Sequence, residues 1–174
     1  VIKANIEVEL PTEIPTLANG KKDSTYLFNY YKSRYFDNLD FTDERMLYTP
    51  FIHCKVESYF KDLVYQTPDS VIKDCDKVLK LAHPKEDIYR YTLWLLNSKY
   101  ENSNVVGLEA VFVHLAENYY LKDATWLDSS TVAKIAKRVK TLKPILPGLT
   151  MPNITLPDTL GNMKTINNIK AKYT

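Results

Sequence analysis

Two cysteines are the residues of this chain best suited to redox or nucleophilic chemistry. Cys54 and Cys75 lie too far apart in sequence to form the Cys-x-x-Cys pair of a thiol-disulfide enzyme. Suppose that the two helices that carry the cysteines form a hairpin that turns near Gln66. Position 58 would then face Cys75, and Cys54 would lie one helical turn away from that position, roughly 6 Å along the helix axis. A disulfide needs Cα atoms within about 7 Å across the pair, so that offset makes one the less favoured alternative. We expect Cys75 to be a small buried hydrophobic residue, and we predict no catalytic cysteine.

The histidines are spread along the chain without the spacing of a metal site. They are His53, His83 and His114. None has a second ligand three or four residues away, and His53 cannot readily chelate with the adjacent Cys54 because neighbouring helix residues diverge. We therefore expect surface histidines or hydrogen-bonded core histidines, and no metal ligand.

Four carboxylates are clustered in one short segment. They are Asp37, Asp40, Asp43 and Glu44. Their spacing is not that of a calcium-binding EF-hand loop, and capping of helices and turns explains them more simply. No Ser/His/Asp order is recognisable, and the four glycines do not form a phosphate-binding loop. We predict no catalytic, cofactor-binding or metal-binding residue in this chain, and no cofactor.

Composition indicates an ordinary globular protein of one domain with an appendage. No apolar stretch is long enough for a transmembrane segment. Residues 1–121 carry a net charge of −4 and residues 122–174 a net charge of +6. A basic final third can bind nucleic acid or anionic lipid. We expect instead that its lysines form the solvated side of one helix, and we predict no nucleic-acid partner because base-stacking aromatics are not interleaved with them.

Residues 2–10 alternate between apolar and polar side chains, which predicts a strand with one buried face. Pro11 and Pro15 end it. Its partner would be either the C-terminal part of this chain or a β domain upstream.

The middle of the chain has the apolar spacing of helices. The predicted N-termini lie at Ser24, Thr49, Thr67, Pro84, Val105 and either Asp128 or Ser129. Short links imply antiparallel neighbours, so we predict a mainly α fold with about six helices in an antiparallel bundle or helix-pair stack. After Pro147-Gly148 the spacing predicts a small β-hairpin with Gly161-Asn162 in its turn.

Two parts of the chain resemble one protein family. The segment from Tyr35 to Leu47 reads Tyr-Phe-Asp-Asn-Leu-Asp-Phe-Thr-Asp-Glu-Arg-Met-Leu. It resembles a W/F-D-N-F-D-F-S/T-D-x-R-L signature from the helical N-terminal region of envelope thiol-disulfide oxidoreductases of Gram-negative bacteria. Residues 67–70 and 107–116 are similar to the same region.

The C-terminal segment resembles the G-x-x-A-P-x-x-x-L-x-D-x-x-G opening of a thioredoxin-like domain. The matching residues are Gly148, Pro152, Leu156, Asp158 and Gly161. Met151 replaces the usual small residue. The resemblance divides the chain into an N-terminal strand and linker at 1–23, a helical domain at 24–147 and the first hairpin of a thioredoxin-like domain at 148–174.

In this family the helical region is a domain of unknown function. The resemblance implies a longer parent that resides in the periplasm or is anchored in the cell envelope as a lipoprotein, and whose Cys-x-x-Cys lies beyond Thr174. No redox residue can be carried over to this chain. We expect a non-catalytic accessory region that positions the downstream thioredoxin-like domain or docks a redox partner or client protein; the oligomeric state stays open.

A second hypothesis is a self-contained helical module that binds a ligand or a protein. Its groove would be lined by aromatic side chains. The candidates are Tyr30, Tyr31, Tyr119 and Tyr120. A deep apolar pocket with converging polar groups would favour this hypothesis.

Overall fold

Helices dominate the structure, as the sequence predicts. The computed structural model describes residues 2–16, 18, 20–150 and 152–165. About 58% of the chain is helical, and the strands form a small two-stranded antiparallel hairpin near the C-terminus. Contacts divide the chain into two compact units, Val1–Leu115 and Ala116–Thr174. The domain division drawn from the resemblance stays a prediction.

The first unit consists of α-helices with short 3-10 and π-helical segments before and between them. They are the 3-10 helix Ile2–Asn5, α1 Tyr26–Arg34, a 3-10 helix Glu44–Tyr48, α2 Phe51–Ser58, the π-helical turn Tyr59–Leu63, α3 Pro68–Ala82, α4 Glu86–Glu101 and α5 Glu109–Leu115. The link between α3 and α4 spans only residues 83–85, so the two helices are direct neighbours and pack together.

Helix α3 is the most amphipathic helix of this unit in sequence and in structure. Thr67 is its N-cap residue and Pro68 occupies the first turn, where a missing N–H costs no hydrogen bond. The side chains that it buries are Val71, Asp74, Cys75, Val78, Leu79 and Ala82. The sequence pattern predicts an apolar stripe of Val71, Ile72, Cys75, Val78, Leu79 and Ala82, which is confirmed except for the half-buried Ile72. The pattern does not predict that Asp74 is buried among them.

Helix α4 buries only part of the face that the sequence pattern predicts. The pattern places Ile88, Tyr91, Leu95 and Leu96 inward; Ile88 and Leu96 are buried, whereas Tyr91 and Leu95 are half-buried. The buried residues are Ile88, Tyr89, Thr92, Leu93, Leu96, Asn97 and Tyr100. Two of the buried positions carry the polar residues Thr92 and Asn97. The spacing of the apolar residues alone therefore indicates a face that is rotated from the one that is buried.

The predicted N-terminal strand is wrong. Ile2–Asn5 form a 3-10 helix, Ala4 is buried, and residues 6–10 have no regular secondary structure. Pairing of the C-terminal hairpin with residues 2–10 is therefore also wrong. An alternating pattern needs a partner strand to become a strand; instead, the Asn38 amide donates a hydrogen bond of 2.9 Å to the Ile6 carbonyl.

Four helix boundaries differ from the predicted ones. Helix α1 begins after Thr25 rather than Ser24, α2 begins after Pro50 rather than Thr49, and α4 begins after Lys85 rather than at Pro84. The helix expected from Val105 begins only at Glu109, because Gly107 has φ +94° and interrupts the helical backbone. Each of these shifts moves a terminus and leaves the helix itself in place.

The second unit is dominated by one long helix. Its elements are the π-helical turn Ala116–Tyr120, α6 Leu121–Asp123, α7 Ser129–Leu142, a 3-10 helix Lys143–Ile145, β1 Thr155–Pro157 and β2 Met163–Thr165. Asp128 caps α7 by accepting hydrogen bonds from the N–H groups of Ser130 and Thr131, which confirms one of the two predicted caps. Hydrogen bonds from the hydroxyls of Ser130 and Thr131, and then from their N–H groups, hold the pKa of Asp128 below its usual range.

The hairpin is confirmed. Leu156 in β1 pairs with Lys164 in β2, and Gly161 in the turn has φ +82°. The Asp158 carboxylate accepts hydrogen bonds from the N–H groups of Leu160 and Asn162, which holds the turn. In the described part of the chain, no helix has the length and apolarity needed to cross a membrane.

Candidate functional site

The signature segment, defined here as residues 35–47, is anchored by aromatic side chains. Tyr35, Phe36 and Phe41 are almost fully buried. The Phe36 ring lies 4.7 Å from the ring of Tyr59 and 5.6 Å from that of Phe41, measured between centroids. Such tilted and edge-on pairs add to the stabilisation from buried apolar area. The aromatic residues of the signature are therefore explained by packing.

The aspartates of the signature segment form turns. Asp40 accepts hydrogen bonds from the backbone N–H and the hydroxyl of Thr42, at 2.8 and 2.6 Å. Asp43 caps the 3-10 helix Glu44–Tyr48 and accepts two hydrogen bonds of 2.7 Å from the Arg45 guanidinium. The Arg45 side chain lowers the pKa of Asp43 to about 2. These contacts agree with the capping role expected from the sequence.

The other two clustered carboxylates form ion pairs at the surface. Asp37 lies 3.6 Å from Arg34, and Glu44 accepts a hydrogen bond of 2.9 Å from Lys85. No three histidines, cysteines or carboxylates are grouped as metal ligands among the residues that the structure describes.

The signature segment forms one wall of a cleft of about 850 Å³. Its lining includes Lys3, Ala4, Asp37, Asn38, Leu39, Asp40, Phe41, Thr42, Asp43, Arg45, Met46 and Leu81. The volume lies within the range of small-molecule sites, which are about 300–1,000 Å³. However, most of the lining side chains are polar or charged, and several of them bind one another. The cleft is therefore not the deep apolar pocket that would favour the binding-module hypothesis.

A buried polar network connects α1, α3 and the π-helical turn. The Tyr59 hydroxyl donates a hydrogen bond of 2.9 Å to one oxygen of Asp74, and the Lys32 ammonium donates one of 2.7 Å to the other. Burial, together with the hydrogen bond to Asp74, raises the pKa of Tyr59. The Lys32 and Lys77 ammonium groups also lie 5.8 and 5.6 Å from the Tyr59 ring centroid.

Sequence reasoning missed this network. The apolar spacing of the sequence indicates only that Tyr59 faces inward on its helix, and it does not single out Lys32 or Asp74. A signal was present, because Asp74 lies between Val71 and Val78 on an otherwise apolar helix face. A carboxylate at such a position is costly to bury without a partner. The identity of that partner could not be read from the sequence.

Both cysteines are free thiols. Cys54 is exposed on α2 and Cys75 is buried on α3. Burial, followed by the nearby charges of Asp76 and Asp74, raises the pKa of the Cys75 thiol well above its usual value. The less favoured disulfide is thus absent, and Cys75 is the small buried residue that its stripe position predicts.

Each histidine contacts another side chain that lies close to it in space. His53 lies 3.2 Å from the Tyr91 hydroxyl through Nδ1, and His114 lies 2.8 Å from an Asp76 carboxylate oxygen through Nε2. The His83 ring packs against Tyr89 at 5.4 Å between centroids. These contacts agree with the hydrogen-bonded and surface positions expected for the histidines.

The tyrosines of the hypothetical aromatic groove fall in both units. Tyr30 and Tyr31 are half-buried on α1, and the Arg34 guanidinium lies 5.0 Å from the Tyr30 ring centroid. Tyr119 and Tyr120 belong to the π-helical turn of the second unit. A groove that combines all four stays a prediction.

Residues 3–143 match the family described as Domain of unknown function (DUF5106). The chain belongs to the DUF5106 family. The matched range includes the signature segment, the Tyr59–Asp74–Lys32 network and nearly all helical residues. No protein with a curated description matches the chain.

The fold of this DUF5106 chain is similar to a solved structure, the crystal structure of a thioredoxin-like protein from Bacteroides caccae ATCC 43185. The TM-score is 0.62 at 15% sequence identity, and the match covers 94% of this chain and 59% of that chain. The chain thus spans little more than half the length of the thioredoxin-like protein. At this identity the likeness concerns the fold alone.

The polar groups of the signature segment and of the Tyr59–Asp74–Lys32 network are bonded to neighbouring protein groups. The signature carboxylates bind backbone N–H groups, Arg34, Arg45 or Lys85, and Asp74 binds Tyr59 and Lys32. Polar groups whose hydrogen bonds and ion pairs are made within the protein stabilise the local structure and are not available to bind a substrate.

Proposed function

We propose that this chain is the non-catalytic helical region, with the first hairpin, of a longer thiol-disulfide oxidoreductase. Its role is to position the redox domain or to dock a redox partner or client protein. The redox chemistry belongs to a Cys-x-x-Cys downstream of Thr174.

The structural likeness carries this proposal. The match covers 94% of this chain but only 59% of the thioredoxin-like protein. The uncovered part of that protein is where a further domain would lie. The hairpin of β1 and β2 follows the helical region directly, where the sequence resembles a thioredoxin-like opening. The Cys75 thiol is buried and its pKa is raised, so it would be a poor nucleophile.

The first test is to read the gene past the codon for Thr174. The proposal expects an apolar strand followed by Trp/Phe-x-x-x-Cys-x-x-Cys. A stop codon at that point, or a continuation without the cysteine pair, would overturn it.

The second test is reduction of insulin disulfides by the full-length protein with dithiothreitol as electron donor. Changing both downstream cysteines to serine is expected to reduce the rate to the uncatalysed level. The combined Cys54→Ser and Cys75→Ala variant is expected to retain the wild-type rate, provided that circular dichroism shows it folded. A large loss of activity on changing Cys54 would contradict a non-catalytic role for this region.

We also propose that the parent protein resides in the periplasm or is anchored in the cell envelope as a lipoprotein. This follows from the resemblance to envelope oxidoreductases. Cell fractionation of the native host with an antibody against this chain tests it, and recovery in the cytoplasmic fraction alone would contradict it.

The alternative function is a ligand- or protein-binding module. The observation in its favour is the cleft of about 850 Å³ beside the signature segment. Its lining combines charged side chains with apolar ones, and the charged ones would orient a polar ligand. A thermal-shift screen with a library of polar metabolites tests this, with stabilisation that is lost in Arg45→Ala as the supporting result.

A further inference from the structure

The second unit contains an uncompensated run of positive charge. Residues 129–157 include five lysines or arginines and no acidic residue. Lys143 is neutralised by Glu117, with Nζ 2.6 and 2.9 Å from the two carboxylate oxygens. The other four are Lys134, Lys137, Arg138 and Lys140. Among the described residues, none of these four has a carboxylate within ion-pairing distance.

Three of these four charges lie on one side of α7, and Lys140 lies at the edge of that side. At about 100° per residue, Lys134, Lys137 and Arg138 fall within an arc of roughly 100°, and all three are exposed. The buried side chain of this helix, Val139, lies on the opposite face and packs within the same unit. Because rotating the helix would expose Val139, the orientation of the positive face is determined by the fold.

Exposed apolar side chains follow α7 closely in the sequence. Ile145 is 63% exposed and Leu149 is 56% exposed, and Pro144 and Pro147 restrict the backbone between them. Cations beside protruding apolar side chains are typical of protein surfaces that bind the interface of a membrane. Nucleic-acid surfaces instead interleave cations with stacking aromatics, and α7 has no aromatic residue.

We propose that this face, here called the basic face, binds the surface of an anionic phospholipid membrane. It consists of Lys134, Lys137, Arg138, Lys140, Ile145 and Leu149. The cations would lie at the level of the lipid phosphates, and the two apolar side chains would enter the headgroup region. Each lysine or arginine at such a surface raises the partition coefficient roughly fivefold. Four of them give an increase of about two to three orders of magnitude over a neutral surface.

The test is sedimentation of the whole chain with vesicles of equal parts phosphatidylcholine and phosphatidylglycerol, compared with pure phosphatidylcholine. Binding is expected to the anionic vesicles only. Raising the ionic strength from about 0.1 M to about 1 M shortens the Debye length from about 10 Å to about 3 Å and is expected to release most of the protein.

The decisive variant replaces Lys134, Lys137 and Arg138 with glutamine. We expect its partition coefficient to fall by about two orders of magnitude. The matched control replaces three exposed lysines of the first unit, Lys61, Lys73 and Lys80, with glutamine. This control has the same net charge as the decisive variant and is expected to bind like the wild type. Circular dichroism establishes that each variant is folded.

A second variant, Ile145→Ser with Leu149→Ser, keeps every charge and is expected to bind more weakly to the same vesicles. Equal binding to both vesicle types, no binding to either, or equal losses in the decisive and control variants would overturn the proposal. Tighter binding to duplex DNA or to polyglutamate than to anionic vesicles would assign the basic face to a different partner and would also overturn it.

Discussion

At the scale of single residues, the notable feature is a carboxylate on the apolar face of a helix. Asp74 is buried on α3, where a charge is tolerated only with close partners. The partners are Tyr59, in the π-helical turn Tyr59–Leu63, and Lys32, in α1. The network therefore joins α1 to two later elements, the π-helical turn Tyr59–Leu63 and α3, and its removal tests whether it stabilises the fold.

We predict that Asp74→Ala lowers the free energy of unfolding by about 2–4 kcal/mol, because the Tyr59 hydroxyl and the Lys32 ammonium lose their acceptor. Urea denaturation followed by circular dichroism measures the change. Asp37→Ala is the control, since the Asp37–Arg34 pair is exposed and contributes at most about 0.5 kcal/mol. Equal losses in the two variants would show that the network does not stabilise the protein.

The two thiols are predicted to react very differently. Exposed Cys54 should react with Ellman's reagent in the native protein, whereas buried Cys75, whose pKa is raised, should react only after unfolding. One thiol is thus expected to titrate before denaturant is added and the second after it. In Cys54→Ser the first reaction should disappear, and a persisting rapid reaction would contradict the burial of Cys75.

At the scale of elements, α3 and α4 form the centre of the first unit. Their amphipathic faces are packed together, and the short link at residues 83–85 keeps them adjacent. Leu79 and Leu81 lie on the same helix, yet Leu79 is 1% exposed and Leu81 is 41% exposed. This contrast allows the packing contribution to be separated from helix propensity.

We predict that Leu79→Ala lowers the free energy of unfolding by about 2–5 kcal/mol, from lost apolar burial and the cavity that remains. Leu81→Ala makes the same chemical change in the same helix and should cost no more than about 1 kcal/mol. Thermal and urea unfolding of both variants measure the difference. Similar costs would mean that the inward face of α3 is assigned wrongly.

At the scale of the whole molecule, burial is distributed unevenly between the helices and the hairpin. The strand residues of β1 are all exposed, whereas α3, α4 and α5 supply most of the fully buried side chains. An isolated two-stranded hairpin is only marginally stable in water. The hairpin is therefore expected to gain stability from further strands of a larger sheet.

Native-state hydrogen exchange should reveal this difference. The amides of β1 and β2 are predicted to exchange several orders of magnitude faster than those in the centres of α3 and α4, which open only through near-global unfolding. Mass spectrometry after exchange measures both in one sample, so the helices serve as the internal reference. Equal protection of hairpin and helices would contradict the prediction. Slower hairpin exchange in the full-length protein would agree with completion of the sheet.

Local sequence determines much of this protein. Helix caps such as Asp128 and Thr67, the stripe of α3, and the turn at Gly161 act within a few residues, so their effects can be read from spacing and residue type. The mainly α fold, the hairpin and the resemblance that led to the family were all accessible in this way.

Other features depend on contacts between residues far apart in the chain. The alternating residues 2–10 lack a partner strand, so their pattern does not produce a strand. Which face of α4 is buried depends on which helices cover it. The partners of Asp74 come from Lys32 and Tyr59, and only folding brings these side chains within hydrogen-bond distance. Tertiary structure decided these points because the free energy of burying a group depends on what surrounds it.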